Sequence, residues 1–110
     1  MESVFDREQD LSKCDVAKIL PVVTSKWTMP IVYYLSFGPL RFSELKRKLP
    51  QMADSNFSKI LRELENFGMI ARKDYQTVPP KVEYSLTEIG VRFISVIKEI
   101  ERFGTYYCHQ

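Results

Sequence analysis

The sequence predicts a mainly α domain with a small β-hairpin in its C-terminal half. Three features carry that expectation. Apolar residues recur at helical spacing in successive segments before residue 68, the period switches to two over 70–75 and 81–86, and helical spacing returns from Ile89 to Phe103. At 110 residues, 45% of them hydrophobic, the chain can bury one modest core but not two. Its 16 Lys+Arg and 14 Asp+Glu leave a net charge of +2; with that apolar content, the balance argues against disorder. No Gly/Ser-rich or repeated stretch suggests a linker or a solenoid. Residues 1–110 are therefore expected to form a single domain, with 1–12 a flexible N-terminal arm and 105–110 a flexible tail.

The elements follow in order. Val16, Ile19, Leu20 and Val23 line one face of a first helix starting near Cys14, and Pro21 should kink or end it because proline removes a backbone bond. Trp27, Ile31, Tyr34 and Leu35 mark a second helix; Pro30 fits if that helix starts near Lys26, and Gly38-Pro39 stops it. Phe42, Leu45 and Leu49 define a short third helix with Glu44 in its first turn and Lys46, Arg47 and Lys48 in its last, the signs the helix dipole favours. Pro50 closes it. After a turn over 51–54, Phe57, Ile60, Leu61, Leu64 and Phe67 form a strong helical stripe over Asp54 to Asn66, capped by Asp54 or Ser55 and ended by Gly68. Ile70 to Tyr75 and Lys81 to Leu86 alternate as two strands joined by Gln76 to Pro80, and Thr87 is a natural N-cap for the last helix. Helix, helix, helix, turn, helix, hairpin, long helix is the order of a winged helix-turn-helix with additional N- and C-terminal helices.

Other classes are excluded. The most hydrophobic stretch, Ile19 to Leu35, is interrupted by Pro21, Ser25, Lys26 and Pro30, short of the ~20 apolar residues a membrane span needs. Residues 1–10 are acidic and polar, unlike a secretory signal, so a cytoplasmic protein with no membrane partner is expected. Cys14 and Cys108 form neither a disulfide framework nor a paired zinc motif, and they are read as thiols. An enzyme needs a nucleophile, a base and an orienting group; the one histidine, His109, sits beside the chain end, and no phosphate-binding glycine loop or paired-carboxylate motif is visible. No catalytic residue, metal or cofactor is expected.

Cys14, Lys26-Trp27, the run Gly38-Pro39-Leu40-Arg41-Phe42-Ser43-Glu44-Leu45, Leu61-Arg62-Glu63-Leu64-Glu65, Gly68-Met69-Ile70-Ala71-Arg72 and the segment from Val78 to Gly90 together resemble the HxlR-type bacterial transcriptional regulators. The resemblance covers Cys14 to Gly104, and its most specific part is the Pro-Pro turn, Glu-Tyr-Ser strand and Thr-Glu-x-Gly helix start in that order. It implies a dimeric DNA-binding winged helix whose second helix-turn-helix helix enters the major groove while the wing follows the backbone or minor groove. Thr24-Ser25 stands where the family usually has two glycines, and Gln51 and Ala53 stand where glycine and a capping serine are usual.

A DNA reader needs cations for phosphates and short polar or bidentate groups for base edges. With the stripe of the fourth helix turned inward, Ser55, Asn56, Ser58, Lys59 and Arg62 remain on its outer face as candidate base contacts, or as an ordinary solvated helix face. Arg41, Ser43, Lys46 and Lys48 on the supporting helix, with Arg72, Lys73, Gln76, Thr77 and Lys81 on the wing, are candidate phosphate contacts. Nine Lys+Arg against five Asp+Glu lie between Arg41 and Lys81, so the positive excess sits where DNA would dock. The partner expected is double-stranded DNA; the rival reading is a winged-helix module that binds a protein through the same face.

The last helix carries more apolar residues than one face of a small domain hides. A homodimer is expected, with Val16, Ile19, Leu20, Phe93, Ile97, Ile100 and Phe103 at its interface. The resemblance adds one role: several such regulators sense oxidants or electrophiles through a cysteine at the position of Cys14, and a helix N-terminus favours the thiolate. Cys14 is thus the candidate redox sensor, with a small buried apolar role as the alternative. The function expected is a sequence-specific transcriptional regulator, a repressor on an inverted-repeat operator. No polar constellation marks a small-molecule effector site.

Overall fold

A computed structural model describes residues 15–110. Five helices and a small sheet follow in the order α1 (Asp15–Val23), α2 (Thr28–Leu35), β1 (Leu40–Arg41), α3 (Phe42–Lys48), α4 (Asp54–Asn66), β2 (Ile70–Asp74), β3 (Val82–Leu86) and α5 (Glu88–Cys108). The sheet is antiparallel in the order β1-β3-β2. Ile70 pairs with Leu86, Arg72 with Tyr84 and Asp74 with Val82, so these residues share the face whose buried members, Ile70 and Tyr84, join the core. The core gathers Ile31, Val32 and Leu35 of α2, Leu45 of α3, Phe57, Ile60, Leu61 and Leu64 of α4, and Phe93 of α5.

The chain of helix and strand periods is as the sequence predicts over α3, α4, β2 and β3, and several details differ. Pro21 lies inside α1, which runs on to Val23. At the end of that helix Leu20 O accepts both the Thr24 N–H at 2.8 Å and the Thr24 hydroxyl at 2.6 Å, and the fully buried Thr28 hydroxyl donates to Val22 O at 2.6 Å. The Thr28 bond ties α1 to α2. Helix α2 starts at Thr28 with Trp27 at its N-cap, so Pro30 falls in the first turn, where its missing N–H costs nothing.

The wing has three strands, not two. Leu40 and Arg41 pair with Tyr84 and Glu83, and a two-residue strand is too short to display any period in a sequence. Neither Asp54 nor Ser55 caps α4: Ala53 is the N-cap and supplies no side-chain bond, while Asp54 turns to Lys46 of α3 at 3.8 Å. The expected flexible tail over 105–110 is instead helical through Cys108. Residues 105–108 contain no helix breaker, and the Gln110 side-chain amide donates to Tyr106 O at 2.8 Å. Phe93, expected at a dimer interface, is buried in this chain's own core, because it stands near the start of α5, a helix that packs on α2 and β3. Residues 1–12 and Cys14 lie outside the described residues.

One junction joins the helix-turn-helix to the wing and to α5. Helix α4 ends on Gly68 at φ +79°, with Gly68 N–H donating to Glu65 O at 2.9 Å and Met69 N–H to Leu64 O at 3.0 Å, a Schellman end whose apolar contact is the buried pair Leu64 and Met69. Thr87 then closes on that turn. Its N–H donates to Met69 O at 3.2 Å, its hydroxyl points at the carbonyls of Gly68 and Met69, and its oxygen accepts the Gly90 N–H at 3.1 Å to cap α5. Gly90 leaves the room this needs: a Cβ there would stand 2.2 Å from Met69 O.

Gly90→Ala is therefore expected to destabilise the domain even though alanine favours a helix by ~1 kcal/mol. The Cβ would meet backbone rather than a side chain that can move, and overpacking of this kind costs ~1–3 kcal/mol or more. Thr87→Val should cost about 1–2 kcal/mol through the lost cap. Urea denaturation checks both; an unchanged midpoint for Gly90→Ala would show the junction to be looser than described.

Candidate nucleic-acid interface

Helices α3 and α4 form the helix-turn-helix. Their angle is set by the buried Leu45, Leu49, Met52 and Phe57, by Phe42 against Phe57 with ring centroids 5.2 Å apart, and at the surface by the Lys46–Asp54 pair. Burying Phe57, Ile60, Leu61 and Leu64 turns the opposite side of α4 to solvent. Ser55, Asn56, Lys59 and Arg62 are exposed there and Ser58 is half-buried at the edge. Among the described residues, Lys59 and Arg62 make no ion pair, so both cations are free to meet an external anion.

The supporting cations are less uniform. Arg41, Ser43 and Lys48 are exposed, and the Arg41 N–H donates to the Glu44 carboxylate at 2.8 Å to start α3. Lys46 is engaged, its side chain 19% exposed against Asp54. Lys48 lies over the Tyr34 ring, 5.8 Å from its centroid.

On the wing, Arg72, Lys73, Gln76 and Thr77 are exposed and Lys81 is half-buried. The tip is built from short bonds: Tyr75 N–H donates to Lys81 O at 2.9 Å, Gln76 N–H to the Asp74 carboxylate at 2.8 Å with Gln76 at φ +53°, and the Thr77 hydroxyl to Pro79 O at 2.9 Å. That last bond occupies the Thr77 proton within the loop.

The arrangement is a rigid amphipathic helix with free cations beside a basic hairpin, and the comparisons with known proteins agree with it. The HxlR-like helix-turn-helix family matches residues 22–110. The chain belongs to that family. It is 44% identical over 89 residues to the HTH-type transcriptional regulator YkvN of Bacillus subtilis, covering 81% of this chain and 75% of that one. The solved structure of the HTH-type transcriptional regulator YtcD superposes with a TM-score of 0.81 at 36% identity, covering 88% of this chain and 99% of the other. The redox regulator HypR in its reduced form superposes with a TM-score of 0.79 at 34% identity, covering 87% and 95%. The fold of this HxlR-like chain is thus a winged helix-turn-helix, and among the described residues no helix is long and apolar enough to cross a membrane.

The register of this HxlR-like wing assembles a cluster that the sequence reading missed. Glu83 lies between Arg41 on β1 and Lys73 on β2, directly opposite both. Side chains alternate along a strand, so Tyr75 and Lys81 share their face. The Tyr75 hydroxyl donates to Glu83 Oε1 at 2.6 Å, Lys81 Nζ stands 4.0 Å from Glu83 Oε2, and the ammonium groups of Lys73 and Lys81 lie 4.7 and 4.5 Å from the Tyr75 ring centroid. The signal available in the sequence was an aromatic residue between two lysines across a short hairpin; the pairing that joins them needed the register.

The hydrogen bond to Glu83, with smaller contributions from desolvation and from the charge of that carboxylate, raises the Tyr75 pKa above the ordinary phenol value. The neutral phenol can donate to Glu83, whereas the phenolate cannot and would face a like charge. NMR titration should find the Tyr75 ring ionising at higher pH than a free tyrosine, and Glu83→Ala should bring it back down. A Tyr75 midpoint insensitive to Glu83→Ala would contradict this bond.

Proposed function

We propose that this chain is a homodimeric, sequence-specific DNA-binding repressor that acts in the cytoplasm. The observation that carries the reading is the clean division of α4, apolar residues sunk in the core and Ser55, Asn56, Lys59 and Arg62 outside with both cations unpaired. Asn56 can meet adenine through two bonds, Arg62 can meet guanine, and Lys59 can meet either a base or a phosphate. Arg41, Ser43, Lys46, Lys48, Arg72, Lys73, Gln76, Thr77 and Lys81 are the backbone contacts in this reading, with Thr77 the weakest because its hydroxyl proton is already bonded within the loop, and with Lys46 and Lys81 each standing beside a carboxylate, Asp54 and Glu83. Occupying an operator that overlaps a promoter blocks polymerase with no further contact, which is why repression is the simplest outcome.

Two copies are part of the proposal. Ile19 is 51% exposed and Phe103 67%, and Leu20, Val96 and Ile100 are each 40% exposed or more. A groove of about 210 Å³ between α1 and α5 is floored by Val22, Val23 and Phe93 and edged by Ile19 and Val96. Such a surface favours burial against a second chain, and the set Val16, Ile19, Leu20, Ile97, Ile100 and Phe103 is retained for it. A two-fold axis suits an inverted repeat.

Selection of bound duplexes from a random pool is expected to yield an inverted repeat with half-sites about one helical turn apart. Arg62→Ala and Asn56→Ala should each then lose ~1–3 kcal/mol on that site and relax its sequence preference. Retention that merely vanishes with salt and enriches no motif, or a light-scattering mass of one chain, would count against the proposal and favour a protein-binding module.

The likeness to HypR, a redox regulator, supports a thiol-responsive role for Cys14 in this chain. Mild oxidation should change operator affinity in the unsubstituted chain and not in Cys14→Ser. An equal response in both, with Cys108 exposed on the last turn of α5 as the other thiol, would remove Cys14 from that role.

A further inference from the structure

The wing cluster assigns work to a residue with no place in the contact set above. We propose that Tyr75 is a positioning residue for the DNA phosphates, holding the ammonium groups of Lys73 and Lys81 over its ring so that both are presented together to the backbone of a duplex. The inference rests on the DNA-binding reading and deepens it.

Four observations carry it. Both ammonium groups lie within cation–π range of one ring, at 4.7 and 4.5 Å from its centroid. The ring is itself held, its hydroxyl donating to Glu83 at 2.6 Å. The hairpin does not need the ring for its shape, since the backbone bond from Tyr75 to Lys81 and the bond from Gln76 to Asp74 already close the tip. And Tyr75 is 36% exposed on the outer face, beside the basic groups and away from the core.

A lysine side chain is long and loses rotamer freedom whenever its charge is fixed. Gathering two of them on an aromatic face before DNA arrives lowers the entropy lost on binding, which is preorganisation. Glu83 is the internal stand-in for phosphate. It stands 4.0 Å from Lys81 Nζ, too far for a hydrogen bond, so it restrains the ammonium group without consuming its donors. A phosphate oxygen can then take those donors while Glu83 keeps the phenol and hence the ring.

The test is a mutant cycle read by fluorescence anisotropy on a labelled mixed-sequence duplex at low salt, with the full chain. Tyr75→Leu should weaken binding roughly three- to tenfold, and Tyr75→Phe, which keeps the ring, should restore most of that loss. In a Lys73→Ala/Lys81→Ala background, Tyr75→Leu should change nothing further, because the residue acts through those two side chains. The free protein offers an independent readout: ring-current shifts of the Lys73 and Lys81 Hε protons, present in the unsubstituted chain and lost in Tyr75→Leu.

Wild-type affinity in Tyr75→Leu, or a full Tyr75→Leu effect persisting without the lysines, would overturn the assignment while leaving DNA binding intact. Lysine protons without ring-current shifts would overturn it too, whatever the stability of the variant. If the unsubstituted chain fails to bind the duplex at all, the DNA-binding reading falls and takes this one with it.

Discussion

The contact between Thr87, Gly90 and the Gly68–Met69 turn is the constraint on which the other elements depend. At this point α4 ends, β2 begins, β3 ends and α5 starts, and four backbone segments converge with room for no Cβ at Gly90. One threonine hydroxyl serves both sides, accepting the first-turn N–H of α5 and facing the carbonyls that leave α4. Because those carbonyls and that N–H are partly buried, leaving either unmade would cost far more than the modest net value of a satisfied hydrogen bond. The direction of α4, the register of the wing and the exit of α5 are consequently fixed together.

That coupling gives the molecule its working geometry. The polar face of α4 is presented by a helix that is pinned at its C-terminal end by the Schellman turn and at its N-terminal end by the Lys46–Asp54 pair and the Phe42–Phe57 contact. The wing leaves the same junction at a set angle. A recognition surface made of two elements needs such a common anchor, because binding to a rigid duplex rewards only contacts that can be made together.

The same junction separates two kinds of surface on α5. Near its start the helix is bound into the core through Gly90 and Phe93; farther on, Ile97 is half-buried and Ile100, Phe103, Tyr106 and Tyr107 are exposed. The helix thus begins inside the core of the chain and continues as a more exposed apolar segment. Charge follows a different division, with the excess of cations confined to the segment from Arg41 to Lys81. The exposed apolar residues of α5 and the excess of positive charge therefore lie in different segments of the chain.

The sequence alone determined the helical stripe of α4, both strands of the hairpin, the stop at Gly68 and the cap at Thr87, since each is written in local periods and in residues with strong conformational preferences. It also determined which side of α4 is polar. Tertiary structure decided what local pattern cannot encode. β1 exists only because Tyr84 and Glu83 pair with it, and α1 passes Pro21 in a helix whose end is tied down by Thr28 from α2. Phe93 belongs to the core of the chain and not to its exposed face, and the helix α5 continues through residues read as a tail. Cross-strand register, finally, brought Tyr75, Lys73, Lys81 and Glu83 together. Contacts between residues distant in sequence depend on how elements meet in space, and only the packed chain specifies that.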